Sequence, residues 1–524
     1  CSNQRCDGGN ITLASGARIA LGDQALVSAE TIGPGSGGKI VLKNSEQLNI
    51  RSDVTLNVGT SGSGNGGSIV VENIDNAVIT GGVDINTSTS GDGDGGNIRF
   101  AVGSIRISNN ANLDASTEDD GDGGNIRLRA TDTVNLTTGA QVNTNTTGAG
   151  AGGNVRIVDA ESVLARNGAI ISSGTTGSEI TSSGNGGNIF IQATDDIAIQ
   201  GENTQLSSSS REQQECSEAL CNGGNIRLTA ENILVSEDAV LDASTESAGL
   251  GGNIRLRATD TATLAAGAQL NTNTSGLGLG GAVRIVDTGS VNIQGGATIN
   301  SGTSNLGNGG PIIIRASDDI EIRDKSQLNA STNSGGRGGN ITISDASETR
   351  LAQDVELTAS TTGTGQGGVV NLQSTDLIDI DNSQVNVSSE GAGDAGRVIM
   401  ATEIIELDHS EVSAVADSAQ GGNILLSPQR YVRLRNRSFI SAVSDGAGSA
   451  DGDITIKPGI TVTSWQEDRD ILAASENSGN VQASAILGFQ IQGDPADRRE
   501  GLSDITTTGD VFLDVDIDPS RWLN

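Results

Sequence analysis

The 524-residue chain has little of what a globular core is usually built from. Aromatic residues make up 2 % of it, which excludes a core organised around Phe, Tyr and Trp. Proline occurs 6 times and cysteine 4 times. The only histidine is His409, so any hydrolytic Ser-His-Asp site would have to use it. No apolar run approaches the ~18 residues of a membrane helix, and no basic-then-apolar signal segment opens the chain. The first residue is Cys1 rather than Met; the chain reads as a fragment or a processed form, and the missing signal says nothing about secretion. Cations are scarce too: Lys+Arg 31 against Asp+Glu 65 gives a net charge of −34. A surface this acidic repels phosphate backbones and anionic membranes, which argues against nucleic acid as a partner.

What is abundant is glycine, 74 residues, and evenly scattered Ile, Leu, Val and Ala within a 34 % hydrophobic total. These alternate singly with polar residues, the pattern of short strands rather than helices. Gly-Gly pairs recur with first glycines at Gly8, Gly37, Gly66, Gly95, Gly123, Gly152, Gly186, Gly223, Gly251, Gly280, Gly309, Gly338, Gly367 and Gly421. Degenerate versions stand at Ala395-Gly396, Asp451-Gly452, Ser478-Gly479 and Thr508-Gly509. Most steps are 28 or 29 residues; Gly152 to Gly186 and Gly186 to Gly223 are longer.

The unit "GGNIRLRATDTVNLTTGAQVNTNTTGAGA" (123–151) shows the logic. Ile126 and Leu128, then Val134 and Leu136, then Val142 sit on alternating stretches separated by Gly, Asp and Asn, whose positive-φ and Asx-turn tendencies make corners. Three short strands and three corners per ~29 residues predict an all-β, right-handed parallel β-helix of about 18 rungs. Inside it, Leu113, Val142, Leu241, Leu270, Ile299 and Leu328 stack at equivalent positions. Outside, Asp114, Asn143, Asp242, Asn271, Asn300 and Asn329 follow one residue later, where stacked amides are expected to bond rung to rung. Arg99, Arg127 and Arg156 form one outward ladder and Arg227, Arg255 and Arg284 another, which keep an edge-rich surface soluble. The segment from Gly123 recurs from Gly251, four rungs on, so the array grew by block duplication. Residues 1–458 read as the repeat region; in 459–524 the pattern loosens into irregular rungs that close the helix, with Trp465 and Trp522 in packing or capping roles.

The turns "GNGGNI" (184–189), the strands "GAQV" (139–142) and "DAST" (114–117), and the ending "GLSDI" (501–505) with "VDIDPSR" (515–521) carry a likeness to a known family. The chain resembles the filamentous haemagglutinin-type exoproteins of bacterial two-partner secretion systems, in the version common in cyanobacteria. The likeness covers nearly the whole chain. It implies a secreted or surface-attached β-helical rod, exported through an outer-membrane transporter partner and acting in adhesion. The family's N-terminal secretion domain, with its Asn-Pro-Asn-Gly motif, is not in this stretch, which corresponds to the distal repeat region and end.

Other motifs reduce to the repeat. "GSGNGG" (62–67), "GDGDGG" (91–96) and "GAGAGG" (148–153) match the dinucleotide-binding glycine pattern, but a strand follows the glycines where that chemistry needs a helix. Asn-x-Ser/Thr at Asn10, Asn86, Asn135 and Asn340 arises from composition. His409 has Asp408 and Ser410 as neighbours, expected on the opposite strand face. A polysaccharide lyase or hydrolase is the alternative on this architecture; it needs a dense carboxylate cluster on a strand face, whereas most acids here sit at corners. No catalytic residue is assigned. The function expected is a non-catalytic surface rod that binds a cell-surface glycan or polysaccharide.

Two constellations remain. Asp92 and Asp94 on one rung and Glu118, Asp119, Asp120 and Asp122 on the next fall within one Debye length, ~8 Å. Gly-rich acidic turns suit hard cations, so Asp92, Asp94, Asp120 and Asp122 are candidate Ca²⁺ ligands, the plainer and preferred reading being a solvated turn. The four cysteines form two C-x4-C pairs, each ahead of a Gly-Gly-Asn corner. Paired thiolates with no third or fourth Cys or His nearby make a poor zinc set. Local disulfides Cys1 to Cys6 and Cys216 to Cys221, formed in an extracytoplasmic compartment, are the expectation.

Overall fold

A computed structural model describes residues 6–176, 184–211, 221–246, 248–436, 438–444 and 452–456, together with the backbone of short strands between 460 and 515. Every element of it is a β-strand, and the strands pair in parallel, each with its counterpart about 29 residues on. The fold is the expected parallel β-solenoid, with about 15 turns in place of the roughly 18 read from the sequence. Expected corners at Ser478-Gly479 and Thr508-Gly509, as well as Trp465 and Trp522, lie outside the described residues. The chain divides into two compact units, Cys1–Arg284 and Ile285–Asn524. Nine three-residue strands, Leu26–Ser28 to Gln269–Asn271, mark the turns of the first unit; six, Thr298–Asn300 to Phe439–Ser441, mark those of the second. Beyond residue 459, parallel pairing continues from Tyr431↔Ile460 and Val481↔Val511.

Each turn has one long side and one short side. Two of the three stretches read from the sequence are fused in most turns into a single strand of 12 or 13 residues, such as Lys39–Arg51, Ser68–Thr80 and Asn154–Arg166. They remain separate in Asn125–Ala130 and Thr133–Thr137. In some of the fused strands a single residue bends the strand without ending it: Asn44, Asn73 and Asp159 take positive φ, which Asn and Asp tolerate better than other side chains. Consecutive positive-φ pairs such as Ser52-Asp53, Gly81-Gly82 and Asn109-Asn110 then reverse the chain into the short strand.

Inward positions stack in register. In the first unit Leu56, Ile85, Leu113, Val142, Ile171, Leu206, Leu241 and Leu270 form one file, each essentially inaccessible to solvent. Ile299 and Leu328 pair likewise in the second unit. Each such side chain contributes about 1.5–3 kcal/mol by burial, so the aliphatic files supply what aromatic residues cannot. The third side of the turn is a single bridge per rung, Thr31↔Thr60↔Thr89↔Thr117↔Thr146↔Thr175. Its buried hydroxyls reach carbonyls of the preceding turn, as Thr117 Oγ1 does to Gly93 O at 3.3 Å and Thr146 Oγ1 to Gly121 O at 3.2 Å.

The Gly-Gly corner sets how closely turns approach. At several corners the carbonyl of the second glycine accepts the N–H of the residue that follows the next Gly-Gly pair, as Gly67 O does from Asn97 N at 3.0 Å. A Cβ on the next second glycine would land on that same carbonyl oxygen: Gly96 on Gly67 O, Gly124 on Gly96 O, Gly153 on Gly124 O. The first glycine is barred on its other side, since a Cβ on Gly95 meets Ala115 O. Gly9, in the first corner, would meet nothing. Gly124→Ala is therefore expected to destabilise the protein by about 1–3 kcal/mol, the usual penalty of overpacking against backbone. Gly9→Ala should change stability by less than about 0.5 kcal/mol. Chemical unfolding of the two variants checks this; equal midpoints would contradict it.

Candidate functional site

The same glycines that permit stacking leave a trough on the outer surface of the first unit. It encloses about 550 Å³ and runs over the corners from Asn65-Gly66 to Gly187-Asn188. Its floor is Gly-Gly backbone, and its two walls are the side chains immediately before and after each glycine pair.

The wall after the glycines is an amide ladder. Nδ2 of Asn125 donates to Oδ1 of Asn97 (3.3 Å), Asn154 to Asn125 (3.0 Å), Asn188 to Asn154 (3.0 Å), Asn225 to Asn188 (2.9 Å) and Asn253 to Asn225 (2.8 Å). The rung-to-rung amide bonding expected of Asn143 and its equivalents is thus found here. Asp114, Asn143, Asp242, Asn300 and Asn329 instead turn back on their own rung, each accepting the N–H two residues on, at 2.8–3.1 Å. The reason is local: a short strand ending in Asn or Asp closes an Asx turn, while the Asn after Gly-Gly stands in a continuous parallel ladder.

The wall before the glycines stitches side chain to backbone. Asn65 Oδ1 accepts from Asp94 N (3.1 Å), Asp94 Oδ1 from Asp122 N (3.0 Å), and Asp122 Oδ1 from Ala151 N (2.7 Å). Asp120 Oδ1 likewise accepts from Ala149 N at 3.2 Å, and Asn65 Nδ2 donates to Asp94 Oδ2 at 3.3 Å. Three of the four acids read as calcium ligands, Asp94, Asp120 and Asp122, therefore bond the backbone of the following turn; Asp92 is exposed. No three of the four bring their oxygens within 4.8 Å of one another.

Among the described residues one group does meet that distance: Asp381, Asp408 and His409, in the second unit. His409 was expected to point away from Asp408, but the strand Arg397–Asp408 ends there and His409 takes a φ of +46°, so its Nδ1 lies 3.0 Å from Asp408 Oδ1. Asn436 Nδ2 donates to the same Asp408 oxygen at 2.7 Å, and Arg435 Nε is 3.9 Å from the other. The group reads as the polar closure of a strand end. Ser410 is buried, with Oγ donating to Asp408 O (2.6 Å) and Ile380 O (2.9 Å) as alternatives, and it makes no hydrogen bond to the imidazole.

Beside the amide ladder, two residues along each strand and so on the same outward face, runs a track of arginines. Arg99, Arg127 and Arg156 are in register, then Phe190, then Arg227 and Arg255. The two ladders read from the sequence are one track with an aromatic ring in its middle; Arg284 is the last residue of the unit. The guanidinium carbons of Arg156 and Arg227 lie 5.1 and 5.6 Å from the Phe190 ring centroid, a cation–π arrangement on both neighbouring turns. Sequence spacing concealed this because the two long steps flank Phe190, yet the strands on either side of them stay paired in register.

Of the cysteines, Cys6 and Cys221 are described and neither is a free thiol. Cys1 and Cys216 lie outside the described residues. No helix among the described residues is long and apolar enough to cross a membrane. No protein-family model, curated protein or solved structure matches the chain.

Two acids on the short strands Asp84–Asn86 and Asn112–Asp114 are strained electrostatically. Burial raises Asp114, and burial together with the neighbouring Asp114 charge raises Asp84, both above the ordinary 3.8. A carboxyl whose folded pKa lies above its unfolded value opposes folding once ionised: its contribution is most favourable below 3.8 and is lost as pH rises through 3.8 and the higher folded value. The double variant Asp84→Asn, Asp114→Asn should therefore melt higher than the parent at neutral pH and equally near pH ~3, where both acids are already protonated in the parent. A gap in Tm that is the same at both pH values would contradict this.

Proposed function

We propose that this chain is a non-catalytic, secreted or cell-surface β-solenoid that attaches surfaces by holding extended polysaccharide along its outer face. The observation that carries the reading is the trough with its amide ladder: a shallow, polar, repeating surface several turns long, with a flat backbone floor and side chains fixed by hydrogen bonds to one another. A repeating polymer presents hydroxyl groups at regular intervals, and a repeating array of amides and carbonyls can meet them without a deep pocket. Pre-organised walls lower the ordering cost of each contact, and many weak contacts in series give useful avidity.

The resemblance to filamentous haemagglutinin-type exoproteins supports the same reading and adds export through an outer-membrane transporter partner. Disulfides between Cys1 and Cys6 and between Cys216 and Cys221 belong to it as well, since they require an oxidising, extracytoplasmic compartment. The competing reading, a polysaccharide lyase or hydrolase, differs in its outcome with the same substrates. In a panel of neutral and acidic polysaccharides, the full chain should retain at least one polymer on affinity electrophoresis without releasing reducing ends or unsaturated products. Turnover of any of them would replace attachment with catalysis; no retention of any would remove polysaccharide as the partner.

A further inference from the structure

The proposed polysaccharide surface has a charge pattern that its amide trough does not account for. In a chain of net charge −34, with only 31 Lys and Arg among 524 residues, Arg99, Arg127, Arg156 and Arg227 fall on one line of the first unit, joined through Phe190. All four arginines are exposed. Among the described residues none of the four makes an ion pair, although Arg129, on the same face, is paired with Asp159 at 2.6 Å. Parallel strands space the backbones of Arg99, Arg127 and Arg156 about 4.8 Å apart, less than the screening length of about 8 Å, so like charges run in file without an ion-pair partner among the described residues. Phe190 adds order: its ring holds the Arg156 and Arg227 heads from the two adjacent turns, limiting the freedom each would lose on binding an anion.

We propose that this arginine track binds a linear acidic polysaccharide carrying one carboxylate per sugar, laid along the stacking direction with its carboxylates on the guanidiniums. The inference rests on the reading of the outer face as a polysaccharide surface and names the polymer. Guanidinium forks match carboxylates in bidentate geometry, and the adjoining Asn97, Asn125 and Asn154 ladder faces the hydroxyl-bearing side of such a chain. A nucleic acid offers anions as well, but its dense phosphate charge meets an overwhelmingly acidic protein outside this one track. A uronate chain, with sparser charge and many hydroxyls, meets less of that repulsion.

The test uses the full chain, polygalacturonate, fully methyl-esterified polygalacturonate as the neutral counterpart, and oligo(dT). The parent is expected to bind polygalacturonate, to bind it more weakly as NaCl is raised, and to prefer it to both other polymers. The triple variant Arg127→Gln, Arg156→Gln, Arg227→Gln should lose about tenfold in affinity, the sum of three exposed charge pairs, and show a flatter salt dependence. The triple Lys variant, which keeps charge but not the fork, should fall between. Circular dichroism melts establish that the variants remain folded. Unchanged polygalacturonate affinity in the folded Gln variant, or equal binding of the esterified polymer by the parent, would overturn the proposal while leaving polysaccharide attachment standing. Preference for oligo(dT) would overturn it in favour of nucleic acid. Binding of no polysaccharide at all would remove both the proposal and the reading beneath it.

Discussion

The stacking of one Gly-Gly corner on the next is the contact on which the rest of this structure depends. Adjacent turns approach until the carbonyl of one second glycine occupies the place where the next second glycine would carry a Cβ. The pattern repeats through the first unit from Gly38 to Gly281 and within the second from Gly339 to Gly452. Because the corners close to this distance, the flanking strands reach hydrogen-bonding register, the aliphatic files Leu56 to Leu270 and Ile299 to Leu328 meet, and the threonine hydroxyls reach the preceding turn. A side chain at any of these positions would hold two turns apart locally and cost the contacts on both faces.

The outer surface follows from the same constraint. Removing side chains from the corner leaves a trough, and fixing the rung spacing places Asn97 through Asn253 at a separation where amides bond in series. It also forces Arg99, Arg127 and Arg156 into a file that solvent and side-chain freedom alone would disperse. The acids Asp94 and Asp122 stitch one turn to the next through backbone N–H groups. One packing requirement thus yields a flat floor, a wall of mutually bonded amides and a stripe of positive charge in an otherwise acidic protein.

Much of this was legible in the sequence because the signals are periodic. Alternating Ile126, Leu128, Val134 and Leu136 declared strands, the Gly-Gly interval declared the turn, and Leu113, Val142, Leu241 and Leu270 are inward as expected. What escaped was set by partners outside the local pattern. Asn143 and Asn154 are both exposed-side asparagines, and only the backbone around them decides that one closes an Asx turn while the other joins a ladder. The threonine bridge left a recurring mark in "DAST" and "NTNT", but a single bridging residue per turn has no alternation to reveal it. Phe190 hid the continuity of the arginine track, because it replaces the residue type that defines the ladder and stands between two longer steps. His409 defeated the alternation rule by standing just past a strand end with positive φ.

The central claim is that glycine corners hold neighbouring turns, and the surface they present, in register. Amide hydrogen exchange of Gly124→Ala, compared with the parent, tests it most directly. The account predicts lost protection concentrated in the strands that meet at that corner, Asn97–Ser108, Asn125–Ala130 and Asn154–Arg166, with strands several turns away unchanged, since each turn in a solenoid leans only on its neighbours. Protection that is unaltered at those strands, or lost evenly along the chain, would contradict it.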